Sequence, residues 1–168
     1  MRNANQHTQL GIATDLGEFI VGYSAAGLAR LSFPSKKRSS GELSTDALPP
    51  QIRRWHRVTT AALKQSLAGR QIRKLPPLDF SEGTDFQRAV WIAMQAIPLG
   101  QTRSYGEIAG DIGEPKAVRA VGGACGANPI PVLVPCHRVL AANGKIGGFS
   151  GGLERKRILL AREGVCPT

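Results

Sequence analysis

The residues with the most chemical potential in this chain stand side by side: Cys136, His137 and Arg138. They are entered through Asn128-Pro129-Ile130-Pro131-Val132-Leu133-Val134-Pro135 and followed by Val139. Cysteine is the best soft nucleophile among side chains, but only as the thiolate. An adjacent imidazole can take the thiol proton, and nearby positive charge lowers the thiol pKa. The run before Pro135 reads as a short apolar strand. Neighbours on a regular strand point to opposite faces, so Cys136 and His137 cooperate only in a turn or through a bridging water. Pro135 gives the chain a reason to leave strand geometry at that point. A bare Cys-His pair is common, and in most of them a buried thiol happens to adjoin an unrelated histidine. The longer string Pro135-Cys136-His137-Arg138-Val139 is far more specific.

Presenting that string requires elements on both sides of it. Thr84 reads as an N-cap, with Asp85 and Gln87 in the first turn of a helix. Phe86, Val90, Ile92, Ala93 and Ile97 form its apolar stripe, and Pro98 to Gly100 stop it. Ser104 caps a second helix over 105–112, with Glu107 at the third position. Gly113-Glu114-Pro115 turns the chain into a third helix over about 116–127. Two short helices around a tight turn have the outline of a helix-turn-helix, an outline that any helical hairpin shares. The third helix is distinctive. Ala117, Ala120, Gly123, Ala124 and Ala127 are tiny, and Arg119 is its one internal charge. Its backbone can therefore approach another surface closely, whether a helix or a DNA groove.

Upstream, residues 10–14, 18–24 and 27–33 are apolar and β-branched, which predicts a small antiparallel meander. Residues 34–46 read as a polar, basic loop. Pro49-Pro50 introduces a helix over roughly 51–68, with Ile52, Trp55, Thr59, Ala62, Leu63 and Leu67 in helical period and Gly69 at its end. Residues 75–80 connect to the second region. The expected class is α+β. A small N-terminal antiparallel sheet with a helix (1–80) precedes a mostly helical C-terminal domain that contains a helix-turn-helix (81–168).

The cysteine string and its surroundings resemble the active site of the O6-alkylguanine-DNA alkyltransferases, the methylated-DNA–protein-cysteine methyltransferases. The likeness runs from about residue 86 to residue 164. It takes in Ser104-Tyr105-Gly106-Glu107-Ile108-Ala109 and then Pro115-Lys116-Ala117-Val118-Arg119-Ala120-Val121-Gly122. The cysteine string follows, and Ser150-Gly151-Gly152-Leu153, Lys156, Leu159-Leu160 and Glu163-Gly164 complete it. Several independent motifs in one order argue against chance. The first 80 residues match only in their β-then-helix layout.

The resemblance implies a DNA repair protein. It would move a methyl or other alkyl group from O6-alkylguanine, and from O4-alkylthymine, in double-stranded DNA onto its own cysteine, once. Cys136 falls on the alkyl acceptor, His137 on the residue that deprotonates the thiol through water, and Glu163 on the carboxylate that orients the histidine. This is the logic of nucleophile, base and orienting group. Tyr105 falls on the proton donor to the leaving guanine. Arg119 falls on the finger that enters the minor groove and fills the gap left by the flipped nucleotide, with Ser104, Ala120 and Gly122 in the same DNA-facing set. Asn128 is the implied hinge between recognition helix and active-site segment. In the substrate pocket, the backbone of Ser150 nears the alkylated oxygen, the carbonyls of Cys136 and Val139 read the exocyclic amine, and Phe149 and Lys156 complete the surroundings. Flipping is a geometric need, since the target carbon lies inside a stacked duplex. Without the resemblance each residue has an ordinary role: inert thiol, core aromatic, solvated arginine or turn asparagine.

Some departures carry meaning. Zinc-binding members hold the metal through N-terminal Cys and His, whereas here no cysteine precedes Cys125, and His7 and His56 cannot make a four-ligand site. Neither metal nor cofactor is expected. Phe149 stands where a tyrosine is frequent, which keeps the ring and removes a hydroxyl. Glycines 147, 148, 151 and 152 suggest a mobile rim that admits alkyl groups larger than methyl.

Composition bounds the rest. A chain of 168 residues, 42% hydrophobic and 20% charged, suits a folded protein with a real core. The formal net charge of +10 favours polyanionic partners, with 12 basic and 5 acidic residues in 1–80 against 10 and 7 in 81–168. Three cysteines make no disulfide framework and suggest a reducing compartment. No apolar run reaches the ~18 residues of a membrane span, and the first ten residues do not resemble a signal peptide. A cytoplasmic monomer is expected. Three rivals compete. A non-repairing DNA binder of the same fold would lack the acceptor cysteine. A helix-turn-helix regulator would need base-reading side chains on the third helix. A cysteine hydrolase would need an oxyanion hole.

Overall fold

The computed structural model describes residues 7–35 and 47–168. The expected basic loop lies outside them from residue 36 to its end. Three strands open the chain: β1 Thr8–Thr14, β2 Gly17–Tyr23 and β3 Leu28–Ser32. They form the antiparallel meander β1-β2-β3 with Leu10 opposite Val21 and Ile12 opposite Phe19. These apolar residues share one buried face, as the two-residue strand period requires. The connector adds a further edge, because Leu28 N donates to Pro77 O and Asp79 N to Leu28 O.

Helix α1, Pro50–Leu67, buries Ile52, Trp55, Thr59, Ala62, Leu63, Ser66 and Leu67. That is the face given by the sequence period, with Ser66 added. Its N-terminal half meets the sheet where the Tyr23 hydroxyl lies 3.1 Å from His56 Nδ1. Gly69 ends the helix at φ +64°, and a Cβ there would sit 1.9 Å from the Arg162 carbonyl oxygen. Only glycine supplies both the left-handed turn and this close approach.

Helix α2, Asp85–Gln95, begins with a complete capping box between Thr84 and Gln87. Its buried residues Val90, Trp91 and Met94 continue to Ile97, and Ile92 is 60% exposed. The expected stripe was therefore rotated. The face 90, 91, 94, 97 keeps the i, i+1, i+4, i+7 pattern, which turns Ile92 by about 100° to solvent. Trp91 Nε1 donates to Ala124 O at 2.9 Å. A two-residue strand β4, Arg103–Ser104, leads into α3, Tyr105–Asp111, which has a second capping box between Ser104 and Glu107. Helix α4, Val118–Gly126, starts two residues later than expected. Helices α2, α3 and α4 pack on one another. A turn at Cys136–Arg138, the strand β5 Val139–Leu140 and helix α5 Leu153–Arg162 complete the chain.

The buried apolar residues form one cluster reaching from Leu10 on β1 to Leu159 on α5. Among the described residues, no helix is long and apolar enough to cross a membrane.

Candidate active site

The segment before Cys136 is not the apolar strand expected from its residues. Pro129, Pro131 and Pro135 lack the N–H that a strand ladder needs, and the run folds into tight turns with Val132 at φ +74°. Asn128 holds the turns. Its Oδ1 accepts from Ile130 N at 3.0 Å and its Nδ2 donates to Val134 O at 2.8 Å. Cys136–Arg138 then form one 3₁₀ turn, the break that Pro135 foreshadowed. Parallel pairing of β4 with β5, Arg103 opposite Val139, fixes this turn beside the start of α3.

Cys136 is 5% exposed and lines a cavity of about 120 Å³ together with Tyr105, Gly122, Cys125, Phe149 and Ser150. Typical ligand pockets exceed ~300 Å³, so this one takes the edge of a ligand rather than the whole. Two larger grooves, of about 480 and 470 Å³, are lined by neither cysteine nor histidine among the described residues. Burial pushes the Cys136 thiol up from its ordinary pKa, opposed by the Asn128 side chain, the Lys156 charge and backbone N–H groups. A thiol so placed needs a local base to ionise.

His137 is fully buried, and its Nε2 lies 2.9 Å from Glu163 Oε1. An ionised carboxylate only accepts, so Nε2 carries the hydrogen and donates. Nδ1 is then the basic nitrogen, and it is buried with no hydrogen-bond partner among the described residues. Glu163 sits at the C-terminal end of α5, where the helix dipole disfavours an anion. Burial also opposes its ionisation, but hydrogen bonds from His137 and Arg138 outweigh this and hold its pKa at about 2. Arg138 grips the carboxylate with two nitrogens, Nε to Oε2 at 2.9 Å and Nη2 to Oε1 at 3.0 Å, while Nη1 donates to Ile97 O at 2.6 Å. Burial lowers the His137 pKa, and the guanidinium beside it works in the same direction against the pull of Glu163. The cluster is thus a neutral imidazole clamped to an anion whose charge arginine already neutralises.

The cavity rim has its own supports. Tyr105 lies half-buried on the wall, its pKa raised by burial and by the neighbouring thiols, while a Gly148 backbone hydrogen bond pulls the other way. Lys156 is fully buried and donates to Val139 O at 2.7 Å and Gly148 O at 3.0 Å, which joins β5 to the rim. Burial pulls its pKa down to about 8. Phe149 packs edge-on against Phe33 of the N-terminal region at 5.6 Å. A Cβ on Gly151 would meet Phe33 at 2.6 Å and Phe149 at 2.7 Å, so this rim glycine is a packing requirement.

Of the expected residues, Tyr105, Gly122, Cys136, Phe149 and Ser150 meet at the cavity. His137, Glu163, Asn128, Lys156 and the buried Val139 stand behind its wall. Arg119 and Ala120 lie apart, exposed on the first turn of α4, and Ser104 is spent as the α3 cap. Sequence reasoning left Arg138 and Phe33 without roles. The signal for Arg138 was its place in the string, but a buried arginine cannot be told from a solvated one by type. Phe33 acts across a long sequence separation that no local pattern reports.

The family model described as 6-O-methylguanine DNA methyltransferase, DNA binding domain, matches residues 85–165. The methylated-DNA–protein-cysteine methyltransferase of Methanosarcina acetivorans is 59% identical over 85 residues, 51% of this chain and 54% of that protein. That of Mycolicibacterium paratuberculosis is 63% identical over 81 residues, 48% of this chain and 49% of its own. The match spans about half the length of these curated relatives. The solved O6-methylguanine methyltransferase of Mycobacterium tuberculosis is similar over 92% of this chain and 91% of its own, with 38% identity and a TM-score of 0.73. The M. tuberculosis OGT in complex with DNA gives 40% identity and a TM-score of 0.72, over 91% of this chain and 90% of its own.

Proposed function

The chain belongs to the O6-methylguanine DNA methyltransferase family, and from that membership we propose that it repairs O6-alkylguanine in duplex DNA by taking the alkyl group onto Cys136. The observation that carries the proposal is the union of a cavity-lining thiol with a buried imidazole. That imidazole has one nitrogen tied to Glu163 and the other unpaired.

His137 Nδ1 accepts the thiol proton through a bridging water. The Cys136 thiolate attacks the alkyl carbon, the S–C bond forms, and the bond from that carbon to O6 breaks. The guanine leaves with the bonding pair and takes a proton from Tyr105. The product is a thioether, and no residue of the site can cleave it, so each molecule acts once. O4-alkylthymine undergoes the same displacement. Reaching the carbon costs a few kcal/mol of unstacking, which Arg119 on the exposed start of α4 offsets by filling the vacated stack. The small residues Ala120 and Gly122 let the α4 backbone approach the groove, α3 and α4 acting as a helix-turn-helix with Ser104 at its entry. Asn128 ties α4 to the cysteine turn. Phe149 and Ser150 face the substrate, while Lys156 and the Val139 carbonyl position that wall. The division at residue 80, a monomeric state and a cytoplasmic setting that keeps three thiols free belong to the same reading.

The test uses an O6-methylguanine oligonucleotide, with the peptide containing Cys136 mapped by mass spectrometry. One added methyl on Cys136 with restored guanine is the expected result. An unmodified peptide beside unrepaired DNA would mean a binder without chemistry.

A further inference from the structure

Residues 47–78 contain seven Lys and Arg and no Asp or Glu. All seven are exposed: Arg53, Arg54, Arg57 and Lys64 on α1, then Arg70, Arg73 and Lys74. None forms an ion pair among the described residues. Arg53, Arg57 and Lys64 fall at i, i+4 and i+11, within about 40° of one another around the helix. They form one row roughly 16 Å long.

The placement opposes helix stability. Arg53 and Arg54 stand in the first two turns of α1, at the end where the macrodipole is positive. No acidic residue lies in the first turn, and the Pro49 N-cap offers no side-chain acceptor. An exposed element that breaks the local charge rule without a partner inside the fold marks a surface with a partner outside it. The proposed reading helices provide the contrast. Residues 103–127 carry three basic and three acidic side chains, so α3 and α4 bring no net attraction to a polyanion. The large apolar residues of α1, namely Ile52, Trp55, Leu63 and Leu67, are buried. The row therefore offers neither the apolar face that inserts into a membrane surface nor the aromatic anchor of a protein interface. Charge alone remains, spaced along a rod, which suits phosphates repeating every ~3.4 Å along a strand.

We propose that the cationic face of residues 47–78 is a second DNA contact that holds the phosphate backbone without regard to sequence while α3 and α4 examine the bases. This rests on the proposed repair function for its choice of polyanion. The face supplies the salt-sensitive part of DNA affinity and keeps the protein on the duplex between lesions.

The test is the full chain with Arg53→Glu, Arg57→Glu and Lys64→Glu together. Binding to an undamaged duplex is measured between about 50 and about 200 mM salt. The slope of log affinity against log salt should fall by about 3, near 0.9 per lost phosphate contact. Reaction of Cys136 with free O6-benzylguanine should be unchanged, and thermal stability close to that of the unmodified chain, because a glutamate at 53 suits the helix dipole while one at 64, in the last turn, opposes it. An unchanged slope overturns the proposal. So does an unchanged slope joined to lost binding of phosphatidylserine vesicles, which would assign the face to a membrane. If neither protein transfers an alkyl group, the repair reading fails, yet the slope still decides this one.

Discussion

Replacing Arg138 by methionine keeps most of the side-chain volume and removes the charge that neutralises Glu163. Three hydrogen bonds disappear, two to the carboxylate and one to Ile97 O. A buried carboxylate left without its partner costs about 3–5 kcal/mol, a large share of the ~5–15 kcal/mol that holds a domain together. The chemical effect is more diagnostic. His137 becomes the one cation able to neutralise Glu163, 2.9 Å away. Two charges about 4 Å apart at an effective dielectric of ~20 attract by about 4 kcal/mol, or about 3 pKa units. Burial opposes this in part, so the net effect expected is a rise in the His137 pKa. A protonated imidazole cannot accept the thiol proton, so transfer at neutral pH should slow and recover as the pH rises. Single-turnover alkyl transfer measured across pH reads the rate, and NMR of labelled histidine reads the His137 charge and tautomer without chemistry. Adding Glu163→Gln to the methionine variant should abolish the acidic limb, which separates charge from loss of structure. A pH-independent loss together with an unshifted His137 titration would refute the assigned role of Arg138.

Arg119→Ala should slow repair of duplex DNA far more than reaction with free O6-benzylguanine, because only the duplex needs flipping. Equal losses on both substrates in single-turnover assays would misplace the finger. Glu163 should give the protein an acid-sensitive stability term. Its folded pKa of about 2 lies below the ordinary carboxylate value, so its contribution is full above about pH 5 and is lost as pH falls toward 2. The total is about 3 kcal/mol. Denaturant unfolding of wild type and Glu163→Gln should therefore converge over that window, and parallel curves would contradict the linkage. Gly69→Ala places a methyl against the Arg162 carbonyl at a left-handed φ. A loss of at least ~1–3 kcal/mol with slower transfer, through displacement of the adjoining Glu163, is expected from thermal melts and kinetics.

Local chemistry made much of this molecule legible in its sequence. Thr84 with Gln87 and Ser104 with Glu107 announced two helix starts, because a cap is a contact between near neighbours. The apolar, β-branched runs announced the strands of the meander, and the period of α1 announced its buried face. Cys136 and His137 were legible as a candidate nucleophile and base because both chemistries reside in residue type, and Glu163 was reached only through the family likeness. Tertiary structure decided the rest. The proline-rich run is turns rather than strand because three missing N–H groups cannot join a ladder. Ile92 faces water because packing against α4 chose Trp91. Arg138 is the neutralising clamp on Glu163, and Phe33 braces Phe149 across more than a hundred residues. Residue type specifies which charge or ring is available, but burial and partner are set only when distant segments close on one another, and those two quantities fix the protonation state on which a thiol's reactivity depends.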